Sequence, residues 1–578
     1  MNIEAIRHSL SHLMSMAITE KYPKAGLGVG PAIENGFYQD YDLPEAISEK
    51  DFGWIEKRIR QLIAKKIEFV KNESDFAAAF EFYKLDPYKT EMINELKAKG
   101  EKALSFYDSG GFHNLCAGPH VKDASEINPD AFKLTKVAGA YWRGSEKNKM
   151  LTRIYGIAFE TKKELENYIK NQEEAEKRDH RKLGAQLGLW TFSENVGSGL
   201  PLFTPKGAMV RRLINEFVEN LQSQQGISQV WTPQIAKAEL FKISGHYDKY
   251  HENMMRVNSN YSKEEFYLKP MNCPQHTQIY AAELRSYKDL PLRFSDFAML
   301  YRDEKPGELF GLTRTRAFSQ DDCHIFCRED QVIKEANDAI AMTKKIMKRY
   351  GFSYKYRLST RDLEHPEKYI GDPKVWEKAE QISEKILKDN NLEYFQGPGE
   401  AAFYGPKLDL IATDSLGRDW QLSTLQIDFV MPERFNLSYI DDKGKEQRPV
   451  MLHRAISGSP ERLMAILIEH YAGAFPLWLS PEQIWIIPIG DKHEKYAKAV
   501  GKELMTNGLR VAIKDGSGTV SKKIREGELQ KIPYLLIVGD KEIKAKSVAI
   551  RKRGKGDIGQ MKLSKFIEKV KIEIEKRK

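Results

Sequence analysis

The residues best suited to chemistry near the start of the chain are three histidines and a cysteine. His8 and His12 are four positions apart, which places both on one face of a helix, and Cys116 and His120 occur later in CAGPH. Thiolates and imidazoles are ligands that zinc prefers. Spacing alone leaves two interpretations open: a shared site, or side chains that are structural or solvated.

A second set of such residues is spread across the middle of the chain. Cys273 lies in KPMNCPQH, His324 in SQDDCHIF and His453 in MLHRAISGS. They lack the compact spacing of a zinc finger, so each taken singly could be structural. If they converge, three protein ligands would leave a zinc position open to substrate. Cys323 and Cys327 are expected to pack as small hydrophobic side chains.

Arginines form a third set, and they are the residue type that binds phosphates through paired hydrogen bonds. The set comprises Arg302, Arg314, Arg316 and Arg462, with Phe318 offering a face on which a base could stack. Ion pairing with neighbouring acidic residues is the alternative. No GxxxxGK[ST] loop and no GxGxxG after a strand occur, so an ATP site here would belong to another fold.

Composition and length limit the class of protein. With 578 residues and 41% hydrophobic side chains, the chain predicts several domains, and it has no apolar run of the roughly 20 residues that a membrane span needs. The first residues show no secretory signal, which predicts a cytoplasmic protein that does not bind membranes. Four cysteines are too few for a disulfide framework.

The net charge is concentrated at the C-terminus. Residues 541–578 hold 14 basic and 5 acidic side chains, a difference of +9 that equals the net charge of the whole chain. A basic end on a neutral body suggests that a polyanion docks there. A solvated lysine-rich helix is the alternative.

Changes in pattern divide the chain into an α+β multidomain protein. The charged stretch 161–184 has helical spacing at Leu165, Tyr168 and Ile169 and predicts a bridging helix. The central region combines a helix over Gly207–Gln225 with strands in PLRFSDFAMLY, KLDLIAT and QLSTLQIDFV, which favours antiparallel strands flanked by helices. After Pro481, the strand-like IWIIPI, LRVAI, PYLLIVG and SVAIRKR alternate with helices and predict a small α/β domain.

Four strings carry a resemblance to a known family: KPMNCP, GLTRTRAFSQDDCHIF, EAAFYGPKLDL and LHRAISGSPERL. On these, from about residue 3 to the C-terminus, the chain resembles the threonyl-tRNA synthetases, which are class II aminoacyl-tRNA synthetases. The resemblance implies an α+β editing domain at 1–170, a helical linker at 171–183, an antiparallel-sheet catalytic core at 184–479 and an α/β anticodon-binding domain at 480–578. Motif 1 resembles the helix and strand from Gly207 through Trp231 to Pro233, which implies a homodimer.

The resemblance implies activation of L-threonine by ATP with Mg²⁺ and transfer of threonine to tRNA(Thr). Arg302 would bridge the amino-acid carboxylate and the α-phosphate, Arg462 would bind the γ-phosphate and Phe318 would stack on adenine. Pro460 suits the first turn of the motif 3 helix. The expected catalytic and ATP-binding residues are Arg302, Glu304, Arg314, Phe318, Gln421, Thr424, Ser459 and Arg462.

Cys273, His324 and His453 match the zinc ligands of the family, which implies one Zn²⁺ per subunit in the catalytic domain. The expected threonine pocket consists of Gln320, Asp322, Tyr404, Lys407 and Gln426. Threonine would reach the metal through its amine and hydroxyl, and valine would be rejected because it lacks the hydroxyl. Serine keeps both groups and would pass.

The N-terminal domain resembles the editing domain that hydrolyses mischarged seryl-tRNA. His8, His12, Lys89, Cys116 and His120 match its signature, and the family uses these side chains without a metal. The resemblance favours water activation without a metal, and a metal at these residues is the alternative. The chain departs from the family at four positions: Asn114 replaces an acidic residue, Ala117 a common arginine, and Gln275 and Ala317 replace glycines.

The C-terminal domain resembles the anticodon-binding domain shared by several class II enzymes. Glu542 and Arg551 stand where the family contacts anticodon bases, and single-stranded bases are how proteins usually read RNA sequence. Two alternatives remain: a catalytically inactive paralogue that binds tRNA-like RNA, and a sister ligase for proline or serine. The retained arginines and zinc-type ligands disfavour the inactive paralogue, and the three zinc-type ligands together with Asp322 disfavour the sister ligase.

Overall fold

A computed structural model describes residues 2–577. The chain divides into two compact units, 1–174 and 175–578, and the division falls within one long helix, Lys162–Arg178. This confirms the helix expected after residue 161. Among residues 2–577, no helix is both long enough and apolar enough to cross a membrane.

The first unit is built from two antiparallel sheets and a long buried helix. One sheet has the order β1-β3-β8-β7 with β2 beside β3, and the other has the order β4-β5-β6. Asn2 caps the first helix by accepting from the backbone N–H groups of Glu4 and Ala5. The elements are α1 (Ile3–Lys21), β1 (Gly26–Leu27), β2 (Ala32–Ile33), β3 (Gly36–Asp42), α2 (Phe52–Ala64), β4 (Phe69–Ser74), α3 (Phe76–Tyr83), α4 (Pro87–Ala98), β5 (Leu104–Ser109), β6 (Phe112–Leu115), β7 (Phe132–Tyr141), β8 (Met150–Ala158) and α5 (Lys162–Arg178).

The second unit contains an eight-stranded sheet, which bears many of the residues expected to bind the nucleotide and the metal. Its order is β11-β15-β18-β25-β22-β21-β19-β20, and all pairs except the two at the edges are antiparallel. The elements are α6 (His180–Gln186), β9 (Trp190–Thr191), β10 (Leu202–Phe203), α7 (Pro205–Ser223), β11 (Ser228–Gln229), β12 (Ile235–Lys237), α8 (Ala238–Ser244), α9 (His246–Tyr250), β13 (Arg256–Val257), β14 (Phe266–Leu268), α10 (Cys273–Ala281), β15 (Leu292–Asp296), β16 (Met299–Tyr301), β17 (Ala317–Ser319), β18 (Asp322–Cys327), α11 (Val332–Tyr350), β19 (Ser353–Thr360), α12 (Pro373–Asp389), β20 (Tyr394–Pro398), β21 (Lys407–Thr413), β22 (Asp419–Asp428), α13 (Val430–Arg434), β23 (Tyr439–Ile440), β24 (Glu446–Gln447), β25 (Val450–Ala455) and α14 (Pro460–His470).

The hydrophobic core of this sheet includes side chains of α7, α11 and α14. Cys323 and Cys327 are fully buried in it as free cysteines, as expected. Gly351 ends α11 at a φ of +79°, a backbone angle that glycine adopts without a steric penalty. Ser459 caps α14 and Pro460 lies in its first turn, where a missing N–H has no cost.

The C-terminal part contains a five-stranded mixed sheet of order β27-β26-β28-β29-β30. Strands β26, β27 and β28 are parallel, and β29 and β30 add antiparallel pairs. The elements are β26 (Ile484–Pro488), α15 (Glu494–Thr506), β27 (Val511–Ile513), α16 (Val520–Leu529), β28 (Tyr534–Val538), α17 (Asp540–Ala545), β29 (Ser547–Lys552), β30 (Gly556–Lys562) and α18 (Leu563–Glu575). The α/β alternation predicted from residue 481 onward is confirmed.

Two strand predictions in the central region are wrong in detail. PLRFSDFAMLY does not form one strand, because β15 ends at Asp296 and β16 pairs instead with β17 in a separate two-stranded sheet. The strand expected after α7 is only Ser228–Gln229, so Trp231 and Pro233 lie outside it. In both cases apolar residues continue beyond the last strand hydrogen bond.

Candidate functional site

One cavity of about 530 Å³ in the second unit is lined by nearly all the residues that are expected to bind ATP, the amino acid and a metal. Its wall includes every expected ATP-binding and amino-acid-binding residue and two of the three expected metal ligands: Arg302, Glu304, Arg314, Phe318, Gln320, Asp322, His324, Tyr404, Lys407, Gln421, Thr424, Gln426, His453, Ser459 and Arg462. Cys273 is buried next to these residues, so positions almost 200 residues apart in sequence share one site.

The hairpin of β16 and β17 positions Arg302 against Phe318. Arg302 directly follows β16, its backbone N–H donates to the Arg316 carbonyl at 2.9 Å, and its guanidinium carbon lies 5.1 Å from the centre of the Phe318 ring. Burial lowers the pKa of Arg302, but an arginine remains charged in proteins. The hairpin therefore presents a fixed cation beside an aromatic face.

The arginines of the cavity wall differ in whether they already have a carboxylate partner. Arg314 pairs with Glu304 and Glu308 at 2.9 Å, as the ion-pairing alternative predicted. Arg462 instead donates from Nε to the carbonyl of Thr313 at 3.2 Å. Within residues 2–577, neither Arg302 nor Arg462 forms an ion pair with a carboxylate, which leaves two cations for an anionic ligand.

A buried carboxylate that the sequence analysis missed orients one polar wall. Asp409 Oδ1 accepts from Gln421 Nε2 and Thr424 Oγ1, both at 2.8 Å. Lys407 Nζ and Arg357 Nη2 reach Asp409 Oδ2 at 3.2 and 3.0 Å. The expected nucleotide-binding side chains are thereby fixed before any ligand arrives.

Cys273, His324 and His453 bring three potential ligand atoms within 4.8 Å of one another. His324 on β18 and His453 on β25 are direct cross-strand partners, and Cys273 is the first residue of α10. His324 Nε2 lies 3.1 Å from His453 Nδ1. Burial lowers the pKa of His324, so its imidazole is neutral, and raises the pKa of the Cys273 thiol, which would lose its proton on binding a metal.

Hydrogen bonds behind the two histidines fit a metal centre. His453 Nε2 donates to Asp428 Oδ2 at 2.7 Å, and His324 Nδ1 lies 2.8 Å from His276 Nδ1. Metal-ligating histidines usually use their second nitrogen in this way, which fixes the ring and its tautomer. One thiol and two such imidazoles are a donor set that suits Zn²⁺.

The expected amino-acid pocket lies beside these histidines. Tyr404 donates to Gln426 Oε1 at 2.5 Å and stacks on the His453 ring at 4.8 Å. Asp322 Oδ1 lies 3.7 Å from His324 Nε2, and burial raises the pKa of Asp322 to about 6. A small ligand here would meet a carboxyl, a phenol and an amide.

The first unit brings its four expected ligand-type residues together. Cys116 Sγ lies 3.3 Å from both His8 Nε2 and His120 Nε2, and the potential ligand atoms of these residues and His12 are all within 4.8 Å of one another. Burial lowers the pKa of His120 to about 3 and raises that of the Cys116 thiol. The cluster therefore offers neutral imidazoles, which can accept a proton from water or ligate a metal.

Asn114 and Lys89 complete the surroundings of this cluster. Asn114 donates from Nδ2 to His12 Nε2 at 3.1 Å, a bond that a carboxylate could not make to an unprotonated nitrogen. Lys89 on α4 is 3% exposed, and burial lowers its pKa to about 8. The charge of Asp86, and that of Cys116 when it is a thiolate, acts in the opposite direction on the pKa of Lys89.

The two residues expected to contact anticodon bases lie on neighbouring elements, α17 and β29. Glu542 is buried and its carboxylate accepts from the Gly539 N–H at 2.9 Å, so it caps its own helix. Arg551 reaches Glu528 at 3.5 Å. The side chain of Glu542 is thus already used within the domain.

Sequence reasoning missed the residues that hold the others in place. His276 lies three residues after Cys273 on the same helix, and this i, i+3 spacing was a usable signal. Asp428 and Asp409 are buried residues of strands β22 and β21, and a buried acidic residue within a strand is a weaker sequence signal.

Comparison with known families agrees with this geometry. Residues 226–471 match the class II core domain of the glycyl, histidyl, prolyl, seryl and threonyl tRNA synthetases. Residues 483–573 match an anticodon-binding domain, and residues 104–155 match the second additional domain of threonyl and alanyl tRNA synthetases.

Similar proteins include threonine–tRNA ligases from several bacteria. The Rubrobacter xylanophilus enzyme is 46% identical over 99% of this chain and 89% of its own length. That of Gloeobacter violaceus is 46% identical over 100% of this chain and 93% of its own length.

Solved structures give the same result for the fold. The threonyl-tRNA synthetase fragment from Cryptosporidium parvum Iowa II superposes with a TM-score of 0.65 at 38% identity, covering 68% of this chain and 98% of that structure. The putative enzyme from Aeropyrum pernix gives 0.60 at 29% identity, covering 69% of this chain and 96% of that one. The chain therefore belongs to the threonyl-tRNA synthetase family, the class II ligases that charge tRNA with threonine.

Proposed function

We propose that the cavity of residues 175–578 activates L-threonine and transfers it to tRNA(Thr). The threonine carboxylate attacks the α-phosphorus of ATP, pyrophosphate leaves, and a terminal ribose hydroxyl of the tRNA then displaces AMP from the adenylate. The main observation that supports this proposal is that two arginines without carboxylate partners and a zinc-type donor set lie at the same cavity. Positioned cations suffice for this chemistry, since no covalent nucleophile is needed.

In this proposal the arginines and Phe318 bind the nucleotide. Arg302 contacts the α-phosphate and the threonine carboxylate, Arg462 contacts the γ-phosphate, and adenine stacks on Phe318. Class II synthetases use Mg²⁺ with ATP, and the metal neutralises phosphate charge. Glu304, Arg314, Gln421, Thr424 and Ser459 complete the nucleotide site. The Asp409 hydrogen bonds support this role because they fix Gln421 and Thr424 in advance.

Cys273, His324 and His453 would hold Zn²⁺, which supplies a Lewis-acidic position for the amine and hydroxyl of threonine. Asp322 accepts a hydrogen bond from the threonine hydroxyl, and Gln320, Tyr404, Lys407 and Gln426 bound the pocket. A site built for a hydroxyl rejects an analogue lacking it by about 10⁴-fold, whereas one missing methyl is worth only about 1–3 kcal/mol. Valine is therefore excluded, and serine is not.

Because the threonine pocket does not exclude serine, the proposed task of the first unit is the hydrolysis of seryl-tRNA(Thr). A neutral histidine among His8, His12 and His120 takes a proton from the attacking water. The Lys89 ammonium stabilises the negative charge that develops on the ester oxygen, and Cys116 lines the site. The neutral state of the imidazoles supports this assignment.

We further propose that the basic C-terminal domain binds the anticodon stem-loop near Glu542 and Arg551.

We also propose that the protein is a homodimer. Trp231 is 77% exposed near the edge strand β11, which supports an interface there. A cytoplasmic location stays a prediction from the sequence.

The first test is ATP–pyrophosphate exchange with threonine, serine and valine, before and after chelation of zinc. We expect exchange with threonine, weak exchange with serine, none with valine and loss on chelation. Arg462→Gln should abolish exchange while keeping zinc, and Arg256→Gln, an exposed control, should change neither. Folded, zinc-loaded protein without exchange would favour an RNA-binding paralogue instead.

A further inference from the structure

His180 is a buried histidine outside the residues assigned above. It is the first residue of α6, it is 0% exposed, and both of its ring nitrogens are used. Nδ1 lies 2.7 Å from Glu469 Oε1, and Nε2 lies 3.1 Å from the backbone nitrogen of Leu312. A carboxylate accepts and a backbone N–H donates, so the ring proton lies on Nδ1 and the lone pair on Nε2 faces Leu312.

This arrangement argues against a metal site at His180. Asp179, His180 and Glu469 place potential ligand atoms within 4.8 Å of one another. However, the Asp179 carboxylate is engaged by the Arg181 guanidinium at 2.6 Å, and the single lone pair of the imidazole is taken by Leu312. The cluster is a hydrogen-bonded connection between chain segments.

Glu469 is a rigid anchor at the C-terminal end of α14. Its Oε1 accepts the His180 ring and backbone N–H groups, and its Oε2 accepts from Arg418 at 2.5 Å. Burial alone would raise the pKa of Glu469, but these hydrogen bonds lower it. The carboxylate is therefore charged and held from two sides.

The segment that His180 contacts is the loop between β16 and β17. Next to Leu312, the carbonyl of Thr313 accepts from Arg462 Nε at 3.2 Å, and Arg462 lies in the first turn of α14. The loop is thus held by both ends of α14: directly through Arg462, and through His180 by Glu469. Leu312, Thr313 and Arg314 line the cavity.

His180 packs so closely against this loop that no space remains for a side chain at Gly311. Gly311 has a φ of +50°, and a Cβ at this position would lie 2.0 Å from His180 Nε2. Arg181, the next residue on α6, covers the ring of Phe310 at 4.1 Å. The loop backbone is therefore shaped against α6, a segment that precedes the matched class II core domain.

We propose that His180 is a positioning residue for ATP, which sets the loop of residues 310–314 in its nucleotide-binding geometry. It does not touch the reacting atoms. This rests on the proposed binding of ATP at the Arg302 and Arg462 wall. Losing the His180 bond frees the Leu312 N–H, so the loop must order itself each time the nucleotide binds.

Two near-isosteric variants separate this role from simple packing. In His180→Gln, the side-chain oxygen can replace Nε2 and still accept from Leu312, whereas His180→Asn can replace only Nδ1 and bond Glu469. In exchange assays on the full chain, we expect KM for ATP to rise about tenfold in His180→Asn and to stay within about twofold in His180→Gln. KM for threonine and the zinc content should not change in either.

Gly311→Ala tests the contact from the other side, with His180 intact, and should also raise KM for ATP selectively. Equal KM values for ATP in the Asn and Gln variants, or an equal rise in KM for threonine, would overturn the proposal. If either His180 variant fails to fold, Gly311→Ala still tests the proposal by itself. An unchanged KM for ATP in that variant would overturn the proposal. Failure of the wild-type protein to exchange at all would instead count against the proposed function.

Discussion

At the scale of single residues, the zinc-type site depends on a carboxylate that lies behind the cavity wall and does not line it. Asp428 accepts from His453 Nε2 and is itself held by the backbone N–H groups of Val430 and Met431 at 2.7 and 2.9 Å. Asp428→Asn should lower zinc affinity about 10- to 100-fold, because such outer partners orient the ligand. Competition with a chromogenic chelator measures this. The exposed control Asp442→Asn should match wild type, and an unchanged affinity in Asp428→Asn would contradict the assignment.

Lys89 is expected to give the proposed editing site a specific pH dependence. Because burial lowers its pKa to about 8, the ammonium is present below pH 8 and lost as the pH rises through 8. The pKa of His120 is lowered to about 3, so this base stays neutral down to mildly acidic pH. Enzymatic seryl-tRNA hydrolysis should therefore be constant from about pH 5.5 to 7.5 and fall above 8. After subtraction of spontaneous hydrolysis, a rate that keeps rising to pH 9 would exclude this role for Lys89, and Lys89→Met should be slow at every pH.

At the scale of elements, one carboxylate joins strand β18 to the turn before α14. Asp321 accepts from the N–H groups of Ile456, Ser457 and Gly458 at 2.8–2.9 Å. Asp321→Ala leaves three buried donors without a partner and should lower the free energy of unfolding by at least about 2 kcal/mol. It should also raise KM for ATP, because the turn leads into Arg462. Chemical denaturation and exchange kinetics test both effects, and a variant as stable as Asp442→Ala would show that the turn is held otherwise.

The sequence predicted elements well where local pattern and tertiary structure agree. The helix after residue 161 and the alternation after Pro481 follow from periodicity, and the burial of Cys323 and Cys327 follows from the hydrophobic character of free cysteine. The break between β15 and β16 could not be seen, because it depends on which strand each half pairs with. His180 and Asp428 were missed for a related reason: their roles exist only through partners that are far away in sequence.

At the scale of the whole molecule, the charge that the sequence concentrates at residues 541–578 predicts how binding responds to salt. Lys544, Lys546 and Lys555 are exposed in this region. A protein that neutralises phosphates releases counterions, so the logarithm of its affinity falls linearly with the logarithm of salt concentration. We expect KM for tRNA in aminoacylation to rise steeply between 50 and 200 mM KCl, on the order of 10³-fold if six phosphates are contacted. ATP–pyrophosphate exchange, which needs no tRNA, should change little.

Neutralising those three lysines to glutamine should reduce the salt slope by up to about 2–3, because each phosphate contact contributes about 0.7–0.9. The matched control replaces three exposed lysines elsewhere, Lys263, Lys443 and Lys445, with glutamine and should keep the wild-type slope. Equal slopes in both triple variants would mean that the basic C-terminus is a solvated surface and that tRNA is held elsewhere. A reduced slope confined to the first variant, with exchange unchanged, would place Lys544, Lys546 and Lys555 at the tRNA interface.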